Sequence, residues 1–572
     1  MTFWRNLKKA AHARFPQAWE MAVWAGWKFR ELPGPWEGPL FRRARSIQRH
    51  WPVPIAISEA PSPQRFLFFA SRQDRDQVAV VTTLAWALRL RGHGVCIVGC
   101  GRMLRRACNY GNFPDGLSKW KCRNCFDFAH RLYRLSGIDH EWLVWNQERF
   151  AKQRAAVKTS LAAGLSAPNY RWNDLPLGQW VRHSVAHYLR TDEIGADQET
   201  QRWYLNWIVN AQLIAQDCIT LLERYRPDHV VMLNGLFAPE RVMFELARQR
   251  QIDVVCWEVG YFPGSYTFRR NACIGSADED GWRLWNQEPL TAAENAQLDG
   301  YLAERERGGG SIVRYFHHIE SRPNEILQNF GLSPDRPLAV LFPNITWDSA
   351  CFERDLFYRG MRDWILDAIC GFAARPNTQL LIRIHPAEVT LPGANRDSVE
   401  RTVREAFPIL PANVVLVPAT SQASSYILMD LASLVIAYNS TTMIEAAVKG
   451  KPVVAAGDSL FRGHGFTLDP ASREEYWAMV DHLLSREPVD SGLERIETAR
   501  RYAYFFFFRS AVSFGAVRQQ ILGDPVQFAY TRAADLLPGK STDLDSICSG
   551  LQGTGAFCAP PPPARTVEAI DV

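Results

Sequence analysis

The chain has 572 residues, 47% of them hydrophobic and 22% charged, the make-up of a soluble globular protein with two or more domains. No run approaches the roughly 18–20 apolar residues of a membrane span, and the N-terminus lacks the apolar core and cleavage site of a secretory signal, so a cytoplasmic location is expected. The formal charge of +5 is uneven, because residues 1–51 hold ten Lys or Arg against three Glu; the remainder is near neutral, which argues against nucleic acid as a partner.

In chain order, residues 1–60 form a basic segment that carries Trp4, Trp19, Trp24, Trp27, Trp36 and Trp51. Basic and aromatic residues together suit peripheral contact with the anionic inner face of a membrane through residues 1–51. They also suit a segment that packs across a domain or partner. From residue 65, RFLFFA, the helical QVAVVTTLAWALRLRG and VCIVG read as strand, helix and strand. Cys100, Cys108, Cys122 and Cys125 follow within 26 residues, but with a single C-x-x-C and irregular spacing they read as free thiols before a zinc site. A largely helical insertion, with a long amphipathic run near 201–226, leads to HVVML (229–233), a helix over 239–250 and DVVCW (253–257).

Residues 276–312, with ERERGGGS, read as a connector. Beyond it LAVLF, QLLIRI, VVLVP, LVIAY and PVVAA alternate with helical text, which predicts a doubly wound parallel sheet. The expected fold is α/β, with two Rossmann-like domains facing a central cleft. The domains are set at 61–300 (acceptor side, with the helical insertion) and 301–490 (donor side). C-terminal helices are expected over 491–534, where YAYFFFF reads as core-facing, and a disordered tail over 535–572.

Open α/β sheets bind ligands beyond the carboxyl ends of their strands, and polar residues gather there. Asn234 and Gly235 follow one strand, with Glu240 in the next helix; Glu258 ends the next. Asn344, Thr346 and Asp348 follow the third, Arg383, His385 and Pro386 the fourth, Ser440, Thr441 and Thr442 the fifth, and Arg462 lies near the sixth. Thr442 and Glu445 also fit a capping box that needs no ligand. A His donor, helix N–H groups and hydroxyls form a cradle suited to a nucleotide phosphate. No G-x-x-x-x-G-K-[ST] loop is present, and no strand–helix unit opens with G-x-G-x-x-G, which disfavours ATP and nicotinamide cofactors. Across the cleft Glu258 is placed to act as general base, with Asp348 and Glu240 as other candidates.

NGLFAPER, WEVGYFPGS, FPNITWDSA, RIHPAE, YNSTTMIEAAVKGKPVVAAGD and FRGHGFTLDP together resemble bacterial capsular polysaccharide biosynthesis glycosyltransferases, over roughly residues 60–490 and most specifically 335–470. The resemblance, shared with sialyltransferase-like and Kdo-transferase-like enzymes, implies a GT-B fold. In that group an HP motif and a serine/threonine-rich helix start bind the donor nucleotide; these roles fall on His385, Pro386, Ser440, Thr441 and Thr442, with Glu445 and Arg462 near the donor. Asn344, Thr346 and Arg383 complete the expected donor side; Asn234, Gly235 and Glu240 form the acceptor side. Glu258 matches the group's catalytic base, an acidic residue of the N-terminal domain, by position, with His385 as the second catalytic residue. The expected activity is metal-independent transfer of a sugar, such as a CMP-linked acidic sugar, from a nucleotide-sugar co-substrate to a surface glycan or glycolipid, with no further cofactor. Polyol-phosphate transfer from a CDP-linked donor, sugar-nucleotide epimerisation and a non-catalytic assembly or export role are the alternatives.

Overall fold

A computed structural model describes residues 39–49, 62–109, 119–192, 194–195, 197–309, 322–390, 397–485, 492–518 and 526–557. Residues 1–38, 50–51 and 558–572, on which parts of the membrane-contact and tail expectations fall, lie outside the described residues.

Two sheets organise the chain. The first contains β1 (Arg65–Ala70), β2 (Gly94–Gly101), β3 (Asp139–Val144), β4 (His229–Leu233), β5 (Asp253–Val259) and β6 (Ser265–Arg270). The second contains β7 (Leu338–Phe342), β8 (Gln379–Arg383), β9 (Val414–Val417), β10 (Leu434–Ala437) and β11 (Val453–Ala455). One further strand, β12 (Ala511–Ser513), returns to the first sheet, giving the order β12-β6-β5-β4-β1-β2-β3 against β11-β10-β7-β8-β9 in the second. From β3 to β5 the first sheet is parallel, as is the whole of the second, while β6 and β12 are antiparallel additions. The central strands are apolar without alternation because helices cover both faces. HVVML and LAVLF are buried at every position.

Strand order reverses twice. In the first sheet the chain moves from β1 outward to β2 and β3, then restarts at β4 on the other side; in the second it restarts at β10 beside β7. The two switch points, β1/β4 and β7/β10, each open a crevice at the strand carboxyl ends, where such sheets take ligands. This is the two-Rossmann arrangement that the resemblance implies.

Several expectations change. The helices Glu279–Trp285 and Ala292–Glu306 occupy the expected connector, and the boundary set at residue 300 falls inside the second. Its N-terminus carries a complete capping box, Thr291 with Glu294, which makes a stable helix start out of polar text. The strands β3 and β6 escaped the sequence reading because DHEWLV and SYTFRR carry charges at their ends, where apolar runs were sought. The helix Pro39–Arg49 packs Leu40, Phe41, Ala44 and Ile47 into the first domain's core, with Phe41 5.3 Å from Phe128, so this part of the basic segment packs onto protein.

The C-terminal region is ordered well past residue 535. The helix Leu493–Tyr504 runs into a π-helical turn, Phe505–Arg509, whose phenylalanines are largely buried. The chain then crosses back to the first sheet as β12. Beyond it the Tyr530 hydroxyl meets Thr83 Oγ1 at 2.7 Å, and the helix Thr542–Gln552 inserts Leu544, Ile547, Cys548 and Leu551 into the first domain's core. Over 535–557 the expected disorder is overturned by this burial: GKSTDLDSICSGLQ is polar overall, but its apolar residues fall on one helical face. Replacing Ile547, fully buried, by Ala should destabilise the protein by about 2–5 kcal/mol in denaturant unfolding. A disordered tail would show no change.

Candidate functional site

The donor-side groups are set by strand ends of the second sheet. Asn344, after β7, donates from Nδ2 to the Asn439 carbonyl at 2.7 Å and accepts the Asn439 N–H on Oδ1 at 3.2 Å, pinning the two loops at the β7/β10 switch point together. Asn439 in turn donates to the Ala350 carbonyl at 2.6 Å and accepts from the Leu460 N–H at 3.2 Å. Both loops are thereby fixed before any ligand arrives.

Arg383, the last residue of β8, is 3% exposed. It donates to the Pro418 and Ser421 carbonyls, both at 2.8 Å, and its Nε has no partner. No carboxylate pairs with it among the described residues. Burial lowers its pKa to about 10, which leaves it cationic at neutral pH. A buried cation without a counter-charge carries a desolvation penalty of several kcal/mol, which dipolar carbonyls offset only in part. Two residues on, His385 accepts the Ala387 N–H on Nδ1 at 3.1 Å, which assigns the ring proton to Nε2. Burial, and then the charge of Arg383, lower its pKa to about 4, so the ring is a neutral donor at physiological pH.

After β10, Ser440 Oγ accepts the Thr442 N–H at 3.3 Å, and Thr442 Oγ1 is buried without a hydrogen-bonding partner among the described residues. The capping box with Glu445 does not form. Thr441, preceding the helix Thr442–Val448, already has helical backbone angles and makes no side-chain cap. Glu445 instead accepts from Arg305 Nε at 3.0 Å and Nη2 at 2.6 Å, with both side chains largely buried. Arg305, on the helix read from sequence as a connector, is the functional neighbour that reading missed; the E-R-E-R text looked like a solvated charge run.

On the acceptor side Glu258 ends β5. It accepts from Asn234 Nδ2 at 2.9 Å and from the Val259 N–H at 3.1 Å. Burial raises its carboxyl above the ordinary range, against the lowering pull of Asn234 and of Arg72. Glu240, fully buried, accepts from the Ser71 hydroxyl and is likewise raised by burial. Ser71 and Arg72 follow β1, so the β1/β4 switch point contributes a serine and a cation that the sequence reading passed over. Gly260 permits the next turn, since a Cβ there would lie 2.2 Å from Ser265 Oγ, and its N–H bonds the Ser265 carbonyl at 2.8 Å.

These elements enclose a cleft cavity of about 490 Å³, within the usual range for a small-molecule site. Of the expected residues Asn344, Arg383, His385, Pro386, Ser440, Thr441, Thr442, Glu445 and Asp348 line it, facing Val259, Gly260 and Tyr261 from the first domain. Glu258 itself lines an adjoining chamber of about 210 Å³, which shares Val259, Tyr261, Leu460 and Phe506 with the larger one.

Thr346, Arg462, Gly235, Asn234 and Glu240 line neither cavity. Thr346 is buried and donates to the Asp397 carbonyl at 3.1 Å. Arg462 donates to the carbonyls of Asp469 and Pro470, holding its own loop. Gly235, at φ +75°, packs against Cys256 and Cys273. Asn234 donates to Glu258, and Glu240 accepts from the Ser71 hydroxyl. Asp348 accepts the Ala350 N–H at 3.0 Å as a turn cap, on the donor side of the cleft, away from the base position. Cys100, Cys108, Cys122 and Cys125 are unbridged. Among the described residues no group of His, Cys, Asp or Glu is placed to hold a metal ion, and no helix is long and apolar enough to cross a membrane.

Comparison with known proteins gives the following. No curated protein matches the sequence. Among solved structures, the beta Kdo 2,4 transferase of Thermosulfurimonas dismutans KpsC is 14% identical, covering 47% of this chain and 78% of its own, with a TM-score of 0.30. The beta Kdo 2,7 transferase of the same KpsC is 12% identical over 55% and 86%, with a TM-score of 0.32. A UDP-GlcNAc 2-epimerase from Neisseria meningitidis is 11% identical over 77% and 97%, with a TM-score of 0.25. At these scores the likenesses add no weight to an assignment of activity. The segment 332–485, which supplies Arg383, His385 and Ser440 to Thr442 to the cleft, matches the family model of capsule polysaccharide biosynthesis proteins.

Proposed function

We propose that this protein is a glycosyltransferase of capsule polysaccharide biosynthesis, transferring a sugar from a nucleotide donor to a glycan or glycolipid. The single observation that carries the reading is Arg383, a cation buried at the cleft wall without a counter-charge and beside the neutral donor His385. An anionic group bound there offsets the cation's desolvation, and the phosphate of a nucleotide sugar is such a group.

In this reading the donor lies in the larger cavity with its phosphate toward Arg383, His385 and the hydroxyls of Ser440 to Thr442. As the bond from the anomeric carbon to phosphate breaks, negative charge grows on the leaving oxygen, and the fixed cation and N–H donor stabilise it. From the other domain Glu258 takes the proton of the attacking acceptor hydroxyl. Its raised pKa makes it a stronger base than a solvated carboxylate. Because the protein supplies the charge that offsets the leaving phosphate, transfer is expected without a metal. The basic, tryptophan-rich text of residues 1–51 leaves peripheral membrane association as a further part of the proposal, for the stretch that precedes the helix Pro39–Arg49.

Three outcomes test this. Replacing His385 by Ala removes one hydrogen bond to charged phosphate, so sugar-nucleotide affinity in calorimetry should fall roughly tenfold or more. Failure of every CMP-, UDP-, GDP- and CDP-linked compound to bind the wild type would remove the donor site. Glu258→Gln should keep that affinity and cut turnover roughly 10²–10⁴-fold. In the wild type, turnover should fall with decreasing pH through a pKa above the ordinary carboxylate value of 4.5, as the base gains a proton; His385, already neutral, contributes no step between pH 5 and 8. Finally, transfer should survive EDTA; loss restored by a divalent cation would refute metal independence. Recovery of an epimerised sugar nucleotide with no glycan product would replace transfer by epimerisation.

A further inference from the structure

The smaller chamber differs from the larger one in its charge. Its cation, Arg269, is fully engaged: Nε donates to the Ser276 carbonyl at 3.2 Å, Nη1 to the Phe268 carbonyl at 2.8 Å, Nη2 to Ser510 Oγ at 2.9 Å, and Asp278 stands 3.5 Å away. Arg383 in the larger cavity has no such acid. The remaining charged wall group is Glu258, which repels a carboxylate or phosphate. Thr267 lies directly opposite Glu258 in the β5/β6 register, so the two side chains share one face of the sheet and both line the chamber. The Thr267 hydroxyl makes no hydrogen bond among the described residues. Aromatic wall is supplied by Tyr261 and Phe506, whose rings lie 4.3 Å apart and line both cavities where they adjoin.

We propose that this chamber is the acceptor subsite, and that it takes one uncharged sugar ring with its nucleophilic hydroxyl held between the Glu258 carboxylate and the Thr267 hydroxyl. A volume of about 210 Å³ is below the usual range for whole ligands, so a single ring enters while the rest of the glycan stays outside. Aromatic faces and unspent hydroxyls suit an uncharged polyol, and the paired Arg269 leaves nothing to attract an acidic one. The proposal rests on the transferase reading. In the step it describes, the acceptor O–H proton passes to Glu258, the oxygen bonds to the donor's anomeric carbon, and the bond from that carbon to phosphate oxygen breaks, its electron pair leaving with the nucleotide.

The test uses the full chain and 4-nitrophenyl glycosides of glucose, galactose and N-acetylglucosamine, with those of glucuronic and galacturonic acid for comparison. Binding is read by ligand-observed NMR, and sugar-nucleotide binding is measured separately by calorimetry. At least one neutral glycoside should bind, and each uronide at least tenfold more weakly than its neutral counterpart. Ala277→Phe, which fills the chamber, should abolish glycoside binding; the near-isosteric Thr267→Val should weaken it roughly tenfold. Both variants should bind sugar nucleotides as the wild type does. Absence of any neutral glycoside binding, unchanged binding in both variants, or a preference for uronides overturns the assignment. Loss of sugar-nucleotide binding in the wild type would instead strike the transferase reading.

Discussion

A guanidinium taken out of water without a carboxylate to receive it sets the character of this cleft. Arg383 reaches only carbonyls, those of Pro418 and Ser421, and in doing so fixes the loop between β9 and the helix Ser425–Leu431, whose Ser425 and Tyr426 line the same cavity. Its charge also acts on His385, adding to burial in keeping that imidazole uncharged. One side chain therefore shapes the wall, sets the protonation of its neighbour and leaves a positive potential that no described protein group cancels.

The facing domain is arranged oppositely. Glu258 and Glu240 are both held back from ionisation by burial, and Arg72 pulls on both. In the proposed transfer, the cation on one wall and the raised Glu258 carboxyl beyond the other let a proton leave toward the first domain while an anion forms against the second. The other buried guanidinium at the cleft, Arg305, is closed by Glu445 and so contributes shape more than field. Arg383 and Arg305 both line the cavity, but only Arg305 has a carboxylate partner among the described residues.

Much of this was legible in the sequence because parallel strands advertise themselves: LAVLF, QLLIRI and LVIAY are buried runs, and whatever polar residue follows them must stand at the sheet's carboxyl edge. That rule located His385, Ser440 and Glu258. It did not separate ligand from scaffold. Asn344 spends its amide on tying two loops, Thr346 and Arg462 turn to backbone carbonyls, and Glu445 turns to an arginine 140 residues earlier. Such pairings depend on tertiary approach, which local pattern does not encode. Arg72 and Arg305 went unseen for the same reason, and Thr542–Gln552 because a short apolar face is diluted by polar neighbours.

The strand β12 makes the first domain discontinuous: its sheet begins with residue 65 and gains its last strand only at Ala511–Ser513. The second sheet, by contrast, is complete within Leu338–Ala455. During synthesis the later domain can therefore close while the earlier one still waits for its edge, and the earlier domain must persist with the outer edge of β6, whose other edge pairs β5, open until Ala511–Ser513 has been made. The first sheet is thus closed by a strand made after the whole second domain, and dependence on chaperones should be concentrated in the interval between the emergence of β6 and that of β12.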